Sequence, residues 1–105
     1  MNINRFTIRT QEAIYSAQEI AKERRNPELE PEHLLLALLN QQESVIIPVL
    51  QKTGVSVDSV NSYLKRRISG FPVVQGESDL YLSKRLNRLL DVPQKEMKAL
   101  RDEYI

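Results

Sequence analysis

The chain has 105 residues, enough for one domain and too few for two independently cored ones of ordinary size; at 41% hydrophobic and 28% charged it reads as globular. Fifteen Lys and Arg against fourteen Asp and Glu leave a formal net charge of +1, so no long-range attraction to phosphate or anionic lipid is expected, and nucleic acid and membrane drop out as partners. The absence of Cys, the single His and the lack of any signal-length or membrane-length apolar run point to a cytoplasmic protein without disulfides, thiolate chemistry or cofactors.

Apolar residues recur at helical spacing along most of the chain. Phe6, Ala13, Ile14, Ala17, Ile20 and Ala21 share one face, which predicts a first helix from about Thr7, its N-cap, to Arg25. Asn26-Pro27 ends it, because a proline disfavours helical geometry in the residue before it. Pro31 and the acids Glu30 and Glu32 suit the start of a second helix. From Leu34 to Leu39 every side chain is apolar, the pattern of a helix surrounded by others. Ser44 is the expected cap of a short third helix carrying Val45, Ile46, Val49 and Leu50, with Pro48 in its first turn. Gly54 closes that helix, and Ser56 opens a fourth with Val57, Val60, Leu64 and Ile68 on one face and Gly70 at its end.

Residues 71–81 lose the pattern and read as a linker. From Ser83 as N-cap, Leu86, Leu89, Leu90, Met97 and Leu100 predict a fifth helix. Pro93 removes one backbone hydrogen bond and crowds the carbonyl four residues earlier, so a kink or break is expected near Leu89 to Pro93, costing about 3 kcal/mol. The two sides of the linker echo each other: Phe6-Thr7 corresponds to Leu82-Ser83, Ala13-Ile14 to Leu89-Leu90, Ala21 to Met97 and Leu29 to Ile105. The chain is therefore read as one all-α domain: residues 1–70 form a four-helix repeat, and residues 82–105 form the first helix of a second, truncated repeat. On this reading Leu86 and Leu89 belong to the core, while Leu90 and Val92 stand open between core and exposed surface.

Chemistry is sparse. Neither GxxxxGK[ST] nor GxGxxG occurs. His33 opens the apolar second helix with no Ser, Cys or second His placed to complete a site, so it is expected to be structural and bonded to a neighbouring loop. The clusters at Lys22 to Arg25 and Lys65 to Arg67 end predicted helices, where cations offset the macrodipole; docking of an acidic partner is the alternative. Glu28, Glu30, Asp102 and Glu103 read as surface acids.

Several segments together resemble the N-terminal domain of the Clp unfoldase family, most closely its disaggregase (ClpB) branch. They are NRFT and QEAIYSAQEIA within Asn4 to Ala21, EPEHLLLALLNQ at Glu30 to Gln41 and GVSVDSVNSYL at Gly54 to Leu64. FPVVQG at Phe71 to Gly76, YLSKRLNRLLD at Tyr81 to Asp91 and RDEYI at Arg101 to Ile105 complete the resemblance, which covers essentially the whole chain.

The resemblance implies a mobile module, tethered to a hexameric ATPase ring, that engages exposed apolar stretches of unfolded or aggregated polypeptide, with a DnaK-type chaperone as a further partner. ATP is the cofactor of the full-length family member, and this chain, without a phosphate-binding loop, is expected to hydrolyse none. The resemblance places the substrate-binding groove at Thr7, Leu90, Val92 and Asp102. Two departures bear on that carry-over: Pro93 stands where a small helix former is usual, and the second EHLLLALL-like segment, which would follow Ile105, is missing. The alternative reading is a fragment without independent activity, or an assembly module whose unpaired fifth helix is exchanged between two copies in a dimer.

Overall fold

The computed structural model describes residues 7–76 and 79–90. The first helix, α1 (Ile8–Glu23), starts where the Thr7 hydroxyl accepts a hydrogen bond from the Thr10 amide. It stops two residues short of the expected end, and Arg25 follows in the left-handed region at φ 57°. The helix α2 (Pro31–Leu39) begins on Pro31, whose missing N–H is one of the unpaired donors of a first turn anyway. A surface helix, α3 (Ile46–Thr53), holds Pro48 in its first turn, and the Ser44 hydroxyl accepts from the Ile46 amide at its start. Gly54 ends α3 at φ 76°, and the Val55 amide reaches back to the Leu50 carbonyl at 3.1 Å, the closing bond of a left-handed C-terminal cap. Then follow α4 (Val57–Ser69), capped by Ser56, and α5 (Lys84–Leu89), capped by Ser83.

The fold is mostly helical, as expected. The one addition lies at the end of the expected linker, where β2 (Tyr81–Leu82) pairs in parallel with β1 (Glu28–Leu29). Tyr81 donates to the Pro27 carbonyl and Ser83 to the Leu29 carbonyl, both at 3.1 Å, in the register Glu28 with Tyr81 and Leu29 with Leu82. Two-residue strands have no alternation to detect in the sequence; their partner, more than fifty residues away, makes them strands. The Val74 amide adds a bond to the Arg25 carbonyl at 2.9 Å. The segment after α4 is thus tied along the loop that joins α1 to α2.

The expectation of a central second helix is met, since α2 packs against each of the other four helices. Its two sides face two apolar clusters. One gathers Ala17 and Ala21 of α1, Leu29, Ala37 of α2 and Leu86 of α5, with Leu80, Leu82 and Leu90 packed against it. The other gathers Leu36 and Leu39 of α2 with Leu64 and Ile68 of α4, and Ile46, Ile47, Leu50 and Phe71 close over it. Ile20 touches both clusters. The three alanines of the first cluster leave room for Leu86 to insert between α1 and α2, where it is 1% exposed. Burying that side chain contributes roughly 1.5–3 kcal/mol toward holding α5 to the rest.

Two expectations about the core are corrected. Leu89 is 62% exposed rather than packed, because Leu86 and Leu90, four residues apart on α5, take the inward face and Leu89 lies to one side of it. Val45 and Val49 share a face of α3 that looks into water, while Ile46, Ile47 and Leu50 carry its packing. Residues 91–105, with Pro93, Met97 and Leu100 and the expected kink beyond Leu90, lie outside the described residues.

Ile68 is 1% exposed between α4 and α2. Ile68→Ala is expected to cost about 2–5 kcal/mol of unfolding free energy by urea titration, whereas Val49→Ala stays within about 0.5 kcal/mol of the parent because its side chain already faces water.

Candidate functional site

The polar chemistry of the molecule is concentrated at the N-terminal turn of α2. His33 is fully buried there and bonded at both ring nitrogens. The Glu30 amide donates to Nδ1 at 2.9 Å, the Nε2 nitrogen lies 2.9 Å from Asn26 Oδ1, and Asn26 Nδ2 donates to the Pro72 carbonyl at 3.0 Å. An amide at one end can only donate and a carbonyl at the other can only accept, so the direction of every bond is determined. His33 is therefore the neutral tautomer with its proton on Nε2. Residues 26, 30, 33 and 72 come from three separate stretches of chain, and the Phe71 ring meets the imidazole edge-on, with centroids 5.5 Å apart.

Burial pushes the His33 imidazole below its ordinary value, with Arg24 adding to the lowering, while the Glu30 and Glu32 carboxylates pull the other way. With both ring nitrogens engaged, His33 ties the first turn of α2 to its surroundings. It is bonded to the loop after α1, as expected from the sequence.

Glu32, the neighbouring residue, faces the other way. Its carboxylate is 9% exposed and accepts from Arg85 Nη2 of α5 at 2.6 Å through Oε1 and from Arg67 of α4 at 3.2 Å through Oε2. Arg85 also reaches Glu30 Oε1 at 3.2 Å. Burial works to raise the Glu32 carboxyl, but the Arg85 and Arg67 hydrogen bonds and a backbone amide outweigh it and hold the group below the usual carboxylate range. Both arginines are nearly half exposed, so each pair contributes about 1 kcal/mol or less. Their effect is mainly geometric, since one carboxylate takes a bond from α4 and another from α5. Arg67 ends α4 as expected, but its partner is a carboxylate rather than the helix dipole alone.

Of the site residues carried over by resemblance, Thr7 and Leu90 lie within the described residues. The Thr7 hydroxyl is occupied at the cap of α1, accepting from the Thr10 amide and donating to Thr10 Oγ1 at 3.0 Å. Leu90 is half-buried against the cluster of Ala17, Ala21, Leu29, Ala37 and Leu86. Ala17 and Ala21 stand ten and fourteen residues along from Thr7, about 15–21 Å of helical rise. Val92 and Asp102 lie outside the described residues. Two large apolar side chains of α1 escaped the sequence reading: Ile8 is 72% and Tyr15 52% exposed. Seven residues apart, they form one solvent stripe opposite Ala13, Ala17 and Ala21. A hydrophobic residue on the polar side of an amphipathic helix was the available signal.

An open hollow of about 640 Å³ lies beside the β1–β2 pair, lined by Pro27, Glu28, Tyr81, Leu82, Lys84 and Arg85 among others. A second, of about 810 Å³, lies between Lys22, Arg25 and Asn26 on one side and Val74, Asp79 and Leu80 on the other. Among the described residues no three His, Asp or Glu side chains converge as metal ligands would, and no helix is long and apolar enough to cross a membrane.

The model of the Clp repeat (R) N-terminal domain matches residues 5–105. The chain belongs to the Clp N-terminal domain family. Chaperone protein ClpB of Bacillus cereus is 36% identical over 109 residues, covering 100% of this chain and 13% of the relative. Chaperone protein ClpB 2 of Nostoc is 37% identical over 105 residues, covering 99% and 12%, and the ClpB of Porphyromonas gingivalis is 32% identical over 105 residues, covering 100% and 12%. The chain thus spans about an eighth of the length of the relatives it matches.

The two shifted acids of α2 predict two separate pH windows. With its folded value lowered, His33 binds fewer protons in the folded state than in the unfolded chain, so its stabilisation is complete above the free value of 6.5 and is lost as pH falls through the lowered one. Glu32 acts likewise but only below its ordinary 4.5. Denaturant midpoints are expected to fall between about pH 7.5 and pH 5.5 in the parent, and this slope to flatten in His33→Gln, which has no ring to protonate.

Proposed function

We propose that this Clp N-terminal domain is the substrate-engaging module of a ClpB-type chaperone, and that it captures exposed apolar stretches of unfolded or aggregated polypeptide. One observation carries the reading: large apolar side chains are left in water at Ile8, Val73, Tyr81 and Leu89. Ile8 adjoins Thr7 and Leu89 adjoins Leu90, so two of the residues expected to bind substrate sit next to open apolar surface. A client that touched both would run along α1 for about 15–21 Å, which five or six extended residues span. Each buried client Leu or Phe contributes roughly 1.5–3 kcal/mol before the cost of association, so capture through one or two side chains is weak and reversible. Weak capture suits a module that hands its client on. The ATPase ring of a parent protein and a DnaK-type chaperone are the proposed partners, and ATP hydrolysis is assigned to that ring.

The alternative, exchange of α5 between two copies, gains no support. Leu86 is buried and Arg85 is paired within one chain, and exchange would first break both contacts. Light scattering at high concentration is expected to give a monomer.

Titration of the labelled chain with a reduced, alkylated lactalbumin as the unfolded probe is expected to shift the NMR signals of Thr7, Ile8, Leu89 and Leu90 with a dissociation constant on the order of 10–1,000 μM. Leu89→Asp should weaken binding about tenfold or more, by placing a charge in the apolar contact. No shift at any of these four positions removes the proposal.

A further inference from the structure

The helix that carries Leu89 and Leu90 has few means of holding its own orientation. Six residues are far below the length at which a helix is stable alone. Its one fully buried apolar anchor is Leu86, with Leu90 half-covered one turn later on the same face. Two such contacts along a single stripe hold α5 against α1 and α2 but leave its rotation about its own axis weakly determined, because a leucine inserted among three alanines can roll. Beside that stripe, in the first turn after Ser83, whose amide bonds the Leu29 carbonyl, lies Arg85, whose guanidinium meets Glu32 at 2.6 Å and Glu30 at 3.2 Å. Glu32 is itself held by Arg67 of α4, so the acceptor does not move with α5. Arg85 and Leu89 are four residues apart and share a face. Whatever sets the position of the arginine also sets the position of the exposed leucine.

We infer that Arg85 is a positioning residue for polypeptide capture: its bond to Glu32 and Glu30 fixes the roll of α5, and so the presentation of Leu89 and Leu90 to an unfolded chain. This rests on the function proposed above. Arg85 touches no client. It acts by keeping the binding-competent orientation populated, so its loss lowers apparent affinity by the fraction of time that orientation is lost. The tie is half open to water, and salt screens it, whereas an apolar contact strengthens slightly in salt. Capture should therefore weaken as ionic strength rises in the parent, and this weakening should be absent without the arginine.

The experiment compares the parent with Arg85→Gln, Arg85→Lys and Lys52→Gln in two measurements on the whole chain. Lys52 is an exposed cation on α3 outside the ion cluster, and its loss changes net charge equally. Hydrogen exchange reads how firmly α5 stays docked, because six residues do not stay helical once their contacts loosen; the probes are the Asn87 amide, bonded to the Ser83 carbonyl, and the Leu90 amide, bonded to the Leu86 carbonyl. Binding of the reduced, alkylated lactalbumin reads capture. Arg85→Gln is expected to speed exchange at both amides and to weaken probe binding about three- to tenfold with loss of its salt dependence. Arg85→Lys should recover part of both effects, and Lys52→Gln should match the parent in both. Faster exchange in Arg85→Gln with unchanged probe affinity overturns the inference, and so does unchanged exchange. A parent that binds no probe defeats the proposed function instead, and the exchange data then decide separately whether Arg85 orients α5.

Discussion

A histidine and a glutamate side by side, both buried at the first turn of the most apolar helix, are costly to the folded state unless each finds partners. In this domain the finding of those partners organises the chain. His33 reaches one way, through Asn26 to the carbonyl of Pro72, and Glu32 reaches the other, to Arg67 and Arg85. The two residues are consecutive, yet between them they hold the loop after α1, the end of α4, the segment beyond it and the start of α5. Apolar packing supplies most of the stability, but it is non-directional. The bonds from this one turn decide which elements meet and in what orientation.

The same turn explains how a helix as short as α5 is held in place. The first apolar cluster is built from alanines, which bury little area, and Leu86 is the only large fully buried side chain that α5 contributes to it. A parallel pair of two-residue strands adds backbone bonds beside it. None of these contacts is large, and each would leave α5 free to shift; together with the arginine on Glu32 they fix its place. Cooperation among small terms leaves apolar side chains such as Leu89 and Tyr81 in water, where a larger core would have covered them.

Much of the fold was legible in advance. Thr7, Ser56 and Ser83 act as the expected N-caps and Gly54 as the expected C-cap, because a cap bonds an amide three residues away or closes a turn within six. The central place of α2 followed from its unbroken leucines. The corrections arose where packing direction matters. Leu89 has the same spacing class as Leu86 and Leu90, and only the placement of α1 and α2 shows which two of the three turn inward. Of the candidate site, Thr7 caps a helix and Leu90 leans on the core. Ile8 and Tyr15 went unread because two apolar residues seven apart on a polar face are outweighed by the longer core stripe opposite them.

The sequence by itself determined the helices, their caps and the family, since these depend on residues three to seven positions apart and on runs of identity. Only the tertiary structure decided the pairing of Asn26 with Pro72, of Glu32 with Arg85 and of Glu28-Leu29 with Tyr81-Leu82. Those partners are separated by 46 residues in the first case and 53 in the second, and the strands by a similar distance. No local preference selects among the chain's many amides, acids and arginines at such separations. The choice falls to whichever groups the packed helices leave facing each other without water.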